Sequence, residues 1–396
     1  LMSKIIISAI DIRPDKIVCL IAQELQIVNQ GKILQLIGSG ISRLPVDCTD
    51  PFSLNKDIIL EHINEAVKKS EKEASTKVKD IYVNISNSVH SIYLDHFTKI
   101  GNISIKDEHI KSYFKSDDFN KLYSENNTPL HSFPISYRIN DLKSVSDPIN
   151  LNAESLTTRW HNIISSNDEI KRIYNFFIDV DLRVKQIVLS NYASSLAVLN
   201  EMESSLGAIS IDIGKTKTFL SFTLDNQLIY FETIPLGSFN FTKDLSNVLS
   251  IDISEADQIR KKMDKLDISK DIDQKDVESF KIYESRAEEF IDLIYHKIRS
   301  TKYYSLVDNN IIYTGYGSKS LLLNKIIKKK FRMSNCRLGS SLRINGSKLM
   351  IENPSMSSAF GLLSYATNHE IEIDGAVEQV RKKSIFSAIY EFFKAI

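Results

Sequence analysis

Two aspartates stand where an apolar strand gives way to a turn. Asp11 closes the run Ile5-Ile6-Ile7-Ser8-Ala9-Ile10, and Asp212 stands near the end of Gly207-Ala208-Ile209-Ser210-Ile211-Asp212-Ile213, about half a chain later. Two such carboxylates facing one another across a cleft can hold a hydrated magnesium ion, Asp11 and Asp212 each acting through water, while amides of the following turns cradle phosphate oxygens. One Asp before a turn is commonplace, because its side chain serves turns well. The repetition carries the weight, since an internal duplication is a property of a whole fold. Lys215 and Lys217 follow the second Asp, where they either neutralise phosphates as point charges or fill the pocket themselves.

The elements that must position these residues are legible from periodicity. Lys4 to Ile10, Lys16 to Ala22 and Lys32 to Ile41 read as a strand meander. Lys56 to Ala74 places Ile59, Ile63, Ala66 and Val67 on one face and charged residues on the other, the pattern of an amphipathic helix. A strand is expected at Asp80 to Ser86, then a Ser/Asn-rich stretch with a helix at Asp107 to Phe114 and strands at His131 to Ile139 and Leu156 to Ile164. Helices at Ile170 to Phe177 and Tyr192 to Met202 flank a strand at Val184 to Ser190. The second half reopens with strands at Ala208 to Ile213, Phe219 to Leu224 and Gln227 to Pro235. Helices then dominate Asp244 to Thr301, a strand-turn-helix spans Asn310 to Lys328, and a last core helix starts after Pro354 and runs to about Ala366.

Composition bounds the partners. The 50 basic residues are matched by 50 acidic ones, so the overall field does not hold the chain on nucleic acid, and an acidic or membrane partner must meet a local patch. Cys19, Cys48 and Cys336 are too few and scattered for a disulfide framework or a metal site, which fits a reducing, cytoplasmic compartment. No apolar run approaches the ~20 residues needed to span a bilayer. The chain is long enough for about two to four domains and a sizeable core.

The tail has its own chemistry. Residues 384–396 place Ile385, Phe386, Ile389, Phe392, Phe393 and Ile396 on one helical face, with Arg381, Lys382 and Lys383 just before them. That layout suits a helix lying in a membrane interface, aromatics among acyl chains and cations near anionic headgroups. The alternative is a terminal helix docked on its own core. The acidic, poorly apolar stretch His369 to Glu378 separates it from the last core helix and favours a tether.

Taken in order, Ile234-Pro235-Leu236-Gly237, Thr242 and Asp244, Ser254 to Arg260, Tyr313-Thr314-Gly315-Tyr316-Gly317-Ser318 and Asn353-Pro354 to Leu362 resemble the actin, Hsp70 and sugar-kinase ATPase superfamily. More narrowly, Leu130 to Tyr137 with Asp147-Pro148 and Leu156 to Ile163, the run Asn191 to Leu199 leading to Gly207, and the tail resemble the bacterial cell-division family FtsA. The resemblance implies an α/β, actin-like fold of the duplicated ribonuclease H type, with an FtsA-type insertion and a C-terminal amphipathic helix. Its implied domains are 1A (1–80, 165–205 and 355–368), 1C (81–164), 2A (206–241 and 308–354) and 2B (242–307), then a linker at 369–383 and a membrane helix at 384–396.

By the same resemblance the cofactors are ATP and magnesium. Asp11 and Lys16 fall at the first phosphate hairpin; Asp212, Gly214, Lys215 and Thr218 fall at the second, with Gly237 beyond it. Asp257 and Arg260 match an adenosine-facing helix, and Thr314, Gly315, Gly317 and Ser318 match a glycine turn beside base and ribose. Departures are evident: Arg13-Pro14-Asp15 replace Gly-Thr-Ser, Lys215-Thr216-Lys217 replace the second hairpin's glycines and threonine, Ser238 replaces a glycine, and Tyr316 replaces another. Amides must reach phosphate closely in such loops, and Pro14 has none to donate. Nucleotide binding is therefore either retained through the lysines or lost in a pseudo-ATPase scaffold. The chain is at most a weak ATPase, with no residue standing out as a general base.

The implied partners are the C-terminal peptide of FtsZ, further copies of this chain in a protofilament, membrane lipids and later division proteins, at the cytoplasmic face of the inner membrane at the septum; nucleic acid is not among them. Lys297 and Arg299 on the helix Glu284 to Arg299 offer charge to an acidic peptide, or simply form a solvated face. Two rivals share the fold. An actin-like pilus-assembly platform protein predicts no lipid-binding tail, and a small-molecule kinase requires a catalytic carboxylate near the first hairpin, for which Asp15 is the candidate.

Overall fold

The structure is a computed structural model and describes residues 5–27, 31–124, 126–266, 272–307, 310–332 and 334–367. The linker at 369–383, the tail at 384–396 and with them Arg381, Lys382, Lys383, Ile385, Phe386, Ile389, Phe392, Phe393 and Ile396 lie outside the described residues. The chain divides into two compact units, one formed by residues up to Ser86 together with Lys171–Ala366, the other by Asn87–Ile170.

In the first unit, β1 (Ile5–Arg13), β2 (Lys16–Ile27) and β3 (Gly31–Arg43) form an antiparallel meander. The helix Lys56–Ala74 packs on β2 and β3 with Ile59, Ile63, Ala66 and Val67 buried. It then returns the chain to β4 (Asp80–Ile85), parallel to β1. Four strands belong to the second unit: β5 (Val89–Ser104), β6 (Asn127–Ile139), β7 (Lys143–Val145) and β8 (Asn152–Ser166), ordered β5-β8-β6-β7. That sheet carries a core in which Trp160 stacks on Tyr113 with centroids 4.4 Å apart, and Phe114 and Phe119 close around them. Aromatic clusters of this kind supply large apolar area with defined geometry.

Back in the first unit, β9 (Arg183–Leu189) pairs with β4, and β10 (Ala208–Ile213), β11 (Thr218–Leu224) and β12 (Gln227–Ile234) repeat the meander. β13 (Asn310–Thr314) and β14 (Asn335–Leu338) extend that sheet in parallel, while β15 (Ile344–Asn345) crosses to β3. The core orders β3-β2-β1-β4-β9 and β12-β11-β10-β13-β14 are the same path drawn twice. Both central strands, β1 and β10, are buried on both faces at their ends, so they read as continuous apolar runs rather than alternating ones. Asp11 and Asp212 interrupt those runs at matching places, one opposite Val18 and the other opposite Phe219 in the neighbouring strand.

Helices Ser238–Leu249, Ile253–Asp264 and Val277–Ser300 pack together beyond β12. The expected single helix Tyr192 to Met202 is two, Ser190–Val198 and Glu201–Leu206. Asn200 accepts from the Glu203 amide and Glu203 reciprocates to the Asn200 amide, a capping box that restarts the chain. Likewise the helix expected over Asp107 to Phe114 is helical only to Lys111 and tightens into a 3-10 turn at Ser112–Lys115.

Candidate functional site at the strand-end aspartates

The topology brings Asp11 and Asp212 to one place, both fully buried, and a third residue joins them. Arg13, two positions beyond Asp11 on the same strand, lays its guanidinium against both carboxylates. Its Nη2 lies 2.6 Å from Asp212 Oδ2, its Nη1 3.2 Å from Asp212 Oδ1, and its Nε 3.4 Å from Asp11 Oδ2. Ser194 Oγ donates to Asp212 and accepts from Arg13, and Ser358 Oγ donates to Asp11 Oδ1. The helices Ser190–Val198 and Ser357–Thr367 supply those hydroxyls, the first to Asp212 and the second to Asp11.

Electrostatics follow from burial. Desolvation pushes the Asp11 carboxyl above its ordinary range, against the opposing pull of Arg13, Ser358 and Lys16. The same desolvation disfavours charge on Arg13, but Asp212 and Asp11 outweigh it and hold the guanidinium protonated. A bidentate Arg–carboxylate pair in a dry site is among the strongest hydrogen-bonded arrangements a protein makes.

Around this centre the other expected residues engage one another. Lys16 Nζ donates to Ser355 Oγ at 2.8 Å and pairs with Asp15. Lys215 Nζ donates to the carbonyls of Pro14 and Pro45 at 3.2 and 3.1 Å, and burial holds its pKa below the ordinary lysine value. Lys215 thus engages the protein's own backbone. Thr218 Oγ1 donates to the Leu236 carbonyl, and the Gly214 amide to the Lys217 carbonyl. Thr314 Oγ1 and the Gly315 amide both donate to the Pro354 carbonyl, and Ser318 Oγ donates to that of Gly315.

The retained glycines answer to the protein's own backbone. A Cβ on Gly237 would stand 2.5 Å from the Lys215 carbonyl oxygen. On Gly315, where φ is +93°, it would stand 2.2 Å from Asp212 Oδ1.

Asp257 and Arg260 form a separate cluster on the helix Ile253–Asp264. Arg260 bonds Asp257 and Asp264 and donates to the Tyr316 hydroxyl at 2.9 Å, its guanidinium 5.3 Å from that ring's centroid. Tyr283 donates to Asp264 from the neighbouring helix. Burial works against the charged form of Asp257, yet Lys261 and Arg260 bring its pKa below the usual value. Lys297 and Arg299 stand apart from both clusters: Lys297 pairs with Glu232 at 2.8 Å, and Arg299 donates to Tyr295 and packs over Tyr304.

A family model described as Cell division protein FtsA matches residues 209–361, from β10 through the glycine turn to the helix Ser357–Thr367. The Cell division protein FtsA of Buchnera aphidicola subsp. Acyrthosiphon pisum (strain APS) is 27% identical over 366 residues, covering 85% of each chain. That of Rhizobium meliloti (strain 1021) is 23% identical over 402 residues, covering 94% of this chain and 89% of its own.

This chain is similar to FtsA along most of its length. Its fold is actin-like, as is that of the solved structures it superposes on. The PilM-PilN type IV pilus biogenesis complex superposes with a TM-score of 0.60 at 12% identity, covering 93% of this chain and 99% of the other, and at that identity the likeness is one of fold alone.

The chain departs from the resemblance at the metal position. Both oxygens of Asp212 are engaged by Arg13, and Asp11 Oδ2, which is buried without a hydrogen bond, faces Arg13 Nε. A dication added between the pair would meet the like charge of the guanidinium at close range, at a high desolvation cost. The residues as arranged therefore do not fit a magnesium ion shared by Asp11 and Asp212. Arg13 stood in the sequence only as a departure from the family hairpin; its spacing of two from Asp11 on a strand, which puts both side chains on one face, was the signal available. Among the described residues no group of His, Cys, Asp and Glu is arranged to hold a metal, and no helix is long and apolar enough to cross a membrane.

Proposed function

We propose that this chain is an actin-like cell-division scaffold that forms protofilaments, lies on the cytoplasmic membrane through its C-terminal segment, and ties the tubulin-like FtsZ to that surface. The observation that carries the reading is the family likeness over most of the chain's length, on a fold that keeps both copies of the duplicated sheet. Residues 384–396 supply the anchor in sequence, six large apolar positions on one helical face behind three cations. Full burial of each such side chain is worth ~1.5–3 kcal/mol and each nearby cation ~1 kcal/mol, offset by roughly 1 kcal/mol or more per residue of ordering. One copy thus binds weakly and reversibly, whereas a row of copies along a filament gains avidity.

The acidic tail of FtsZ would dock on the helices between Ser238 and Ser300, where it competes with Glu232 for Lys297. The unit Asn87–Ile170 serves polymer contacts and later division proteins. ATP and magnesium belong to the family reading, but with Arg13 on Asp212 no step of this function is assigned to them. The test is pelleting with anionic liposomes. The full chain should sediment with them and carry FtsZ along, and the chain ending before Ser384 should do neither. Unchanged pelleting of the shortened chain would sink the tether. A pilus-platform reading, favoured only by fold, predicts no liposome binding by either chain.

A further inference from the structure

We propose that Arg13 is a built-in cation that does in this chain what a nucleotide-bound metal does in an actin-like cleft. It joins the carboxylates of the two halves of the duplicated sheet, so the cleft stays closed without nucleotide. The inference stands apart from the membrane reading and rests on contacts within the first unit alone.

Four observations converge. The Arg13 guanidinium spans 199 residues of sequence to bond both oxygens of Asp212 while facing the unpartnered oxygen of Asp11, and all three side chains are nearly dry. The second hairpin returns the clasp: Lys215 reaches back to the carbonyls of Pro14 and Pro45, and Thr216 Oγ1 donates to the Thr49 carbonyl at 3.3 Å. Each half thus sends a side chain into the other. Next, Tyr316, which stands where the family resemblance implies a glycine, puts its hydroxyl on Arg260, whose other donors are taken by Asp257 and Asp264. Last, Gly237 and Gly315 face the chain's own carbonyl and carboxylate oxygens rather than open space.

Charge explains why an arginine stands here. Two buried carboxylates cannot both stay ionised without a counter-charge, which a divalent ion or a tethered guanidinium can supply. Arg is suited to the second route because its planar fork bonds a carboxylate at two points and never deprotonates. A resident cation is present at all times, so the contact between halves no longer reports what small molecule is bound.

Thermal melting and calorimetry on the full chain test this, with magnesium chloride and magnesium–ATP as probes. Wild type should give no saturable heat with magnesium–ATP and no shift of its melting midpoint. Arg13→Gly should melt lower, and magnesium alone should restore part of the loss; in the double variant Arg13→Gly/Asp212→Asn that response should vanish. Arg13→Lys, which keeps a charge and folds more readily, should remain indifferent to magnesium. Saturable, magnesium-dependent ATP binding by wild type overturns the proposal whatever the variants do. So does an Arg13→Gly protein that melts like wild type without magnesium. If Arg13→Gly does not fold, the wild-type and Arg13→Lys titrations still decide, since a magnesium–ATP response in either refutes the clasp.

Discussion

Burying a carboxylate beside a guanidinium costs free energy twice over, and the arrangement persists only where geometry returns it. At Asp212 the return is a two-point bond plus a serine hydroxyl; at Asp11 it is one hydroxyl and a longer approach of 3.4 Å. The two carboxylates should therefore answer differently to change. Arg13→Ala strands both and is expected to cost roughly 3–5 kcal/mol in denaturant unfolding, the range for breaking a buried pair. Asp11→Asn leaves the Arg13–Asp212 pair intact, and its cost at neutral pH should stay within about 1 kcal/mol. The pH dependence has a definite sign. Because burial raises the folded-state pKa of Asp11, its protonated form favours folding, so this residue's contribution is greatest below the usual carboxylate value of 3.8 and is lost as pH rises through the raised value. Asp11→Asn should flatten that part of the profile; an unchanged profile would rule out this origin. Gly315→Ala meets both a positive φ and Asp212 Oδ1, and should lower stability by about 2 kcal/mol or more.

Elements differ in how much of them local pattern can reveal. The helix Lys56–Ala74 matches its expected range because nineteen residues of 3.6-residue periodicity leave little ambiguity. β5 was not expected at all. It is sixteen residues long, yet its exposure follows no clean alternation, and pairing with β8 along most of its length is what makes it a strand. β14 and β15 escaped for a related reason, being four and two residues that exist only as parallel partners of β13 and β3. The break between Ser190–Val198 and Glu201–Leu206 was readable from Asn200 and Glu203, whereas apolar periodicity alone ran through it. In the second unit, Trp160 is fully buried among Tyr113, Phe114 and Phe119, so Trp160→Ala should cost about 3–5 kcal/mol, read as early loss of tryptophan-independent ellipticity on heating. His96 lies edge-on to Tyr113, and burial keeps its pKa below 6.5 despite Asp118 nearby. A lowered folded-state pKa means stability present above the unfolded value and lost as pH falls through the folded one. The unit should thus weaken on acidification below about pH 6.5, and His96→Gln should remove that slope.

At the scale of the whole molecule, the chain carries a duplicated sheet in one unit and an inserted four-stranded sheet in the other. If assembly and membrane binding reinforce one another through avidity, liposome pelleting should rise more steeply than linearly with protein concentration, and Phe392→Glu/Phe393→Glu should abolish it. A linear rise with wild type would separate the two activities. The sequence by itself determined the strand meanders, the duplication and the strand-end aspartates, because these are written in contiguous residues with fixed spacing. It also carried the tail's amphipathic face, which needs no tertiary partner to be read. Tertiary structure alone decided which groups the aspartates meet. Residue 13 meets residue 212 only after two sheets have formed and two helices have brought Ser194 and Ser358 to hold the carboxylates in place. No local spacing encodes that meeting, since a side chain's partner across a fold is set by packing, and packing is a property of the whole chain.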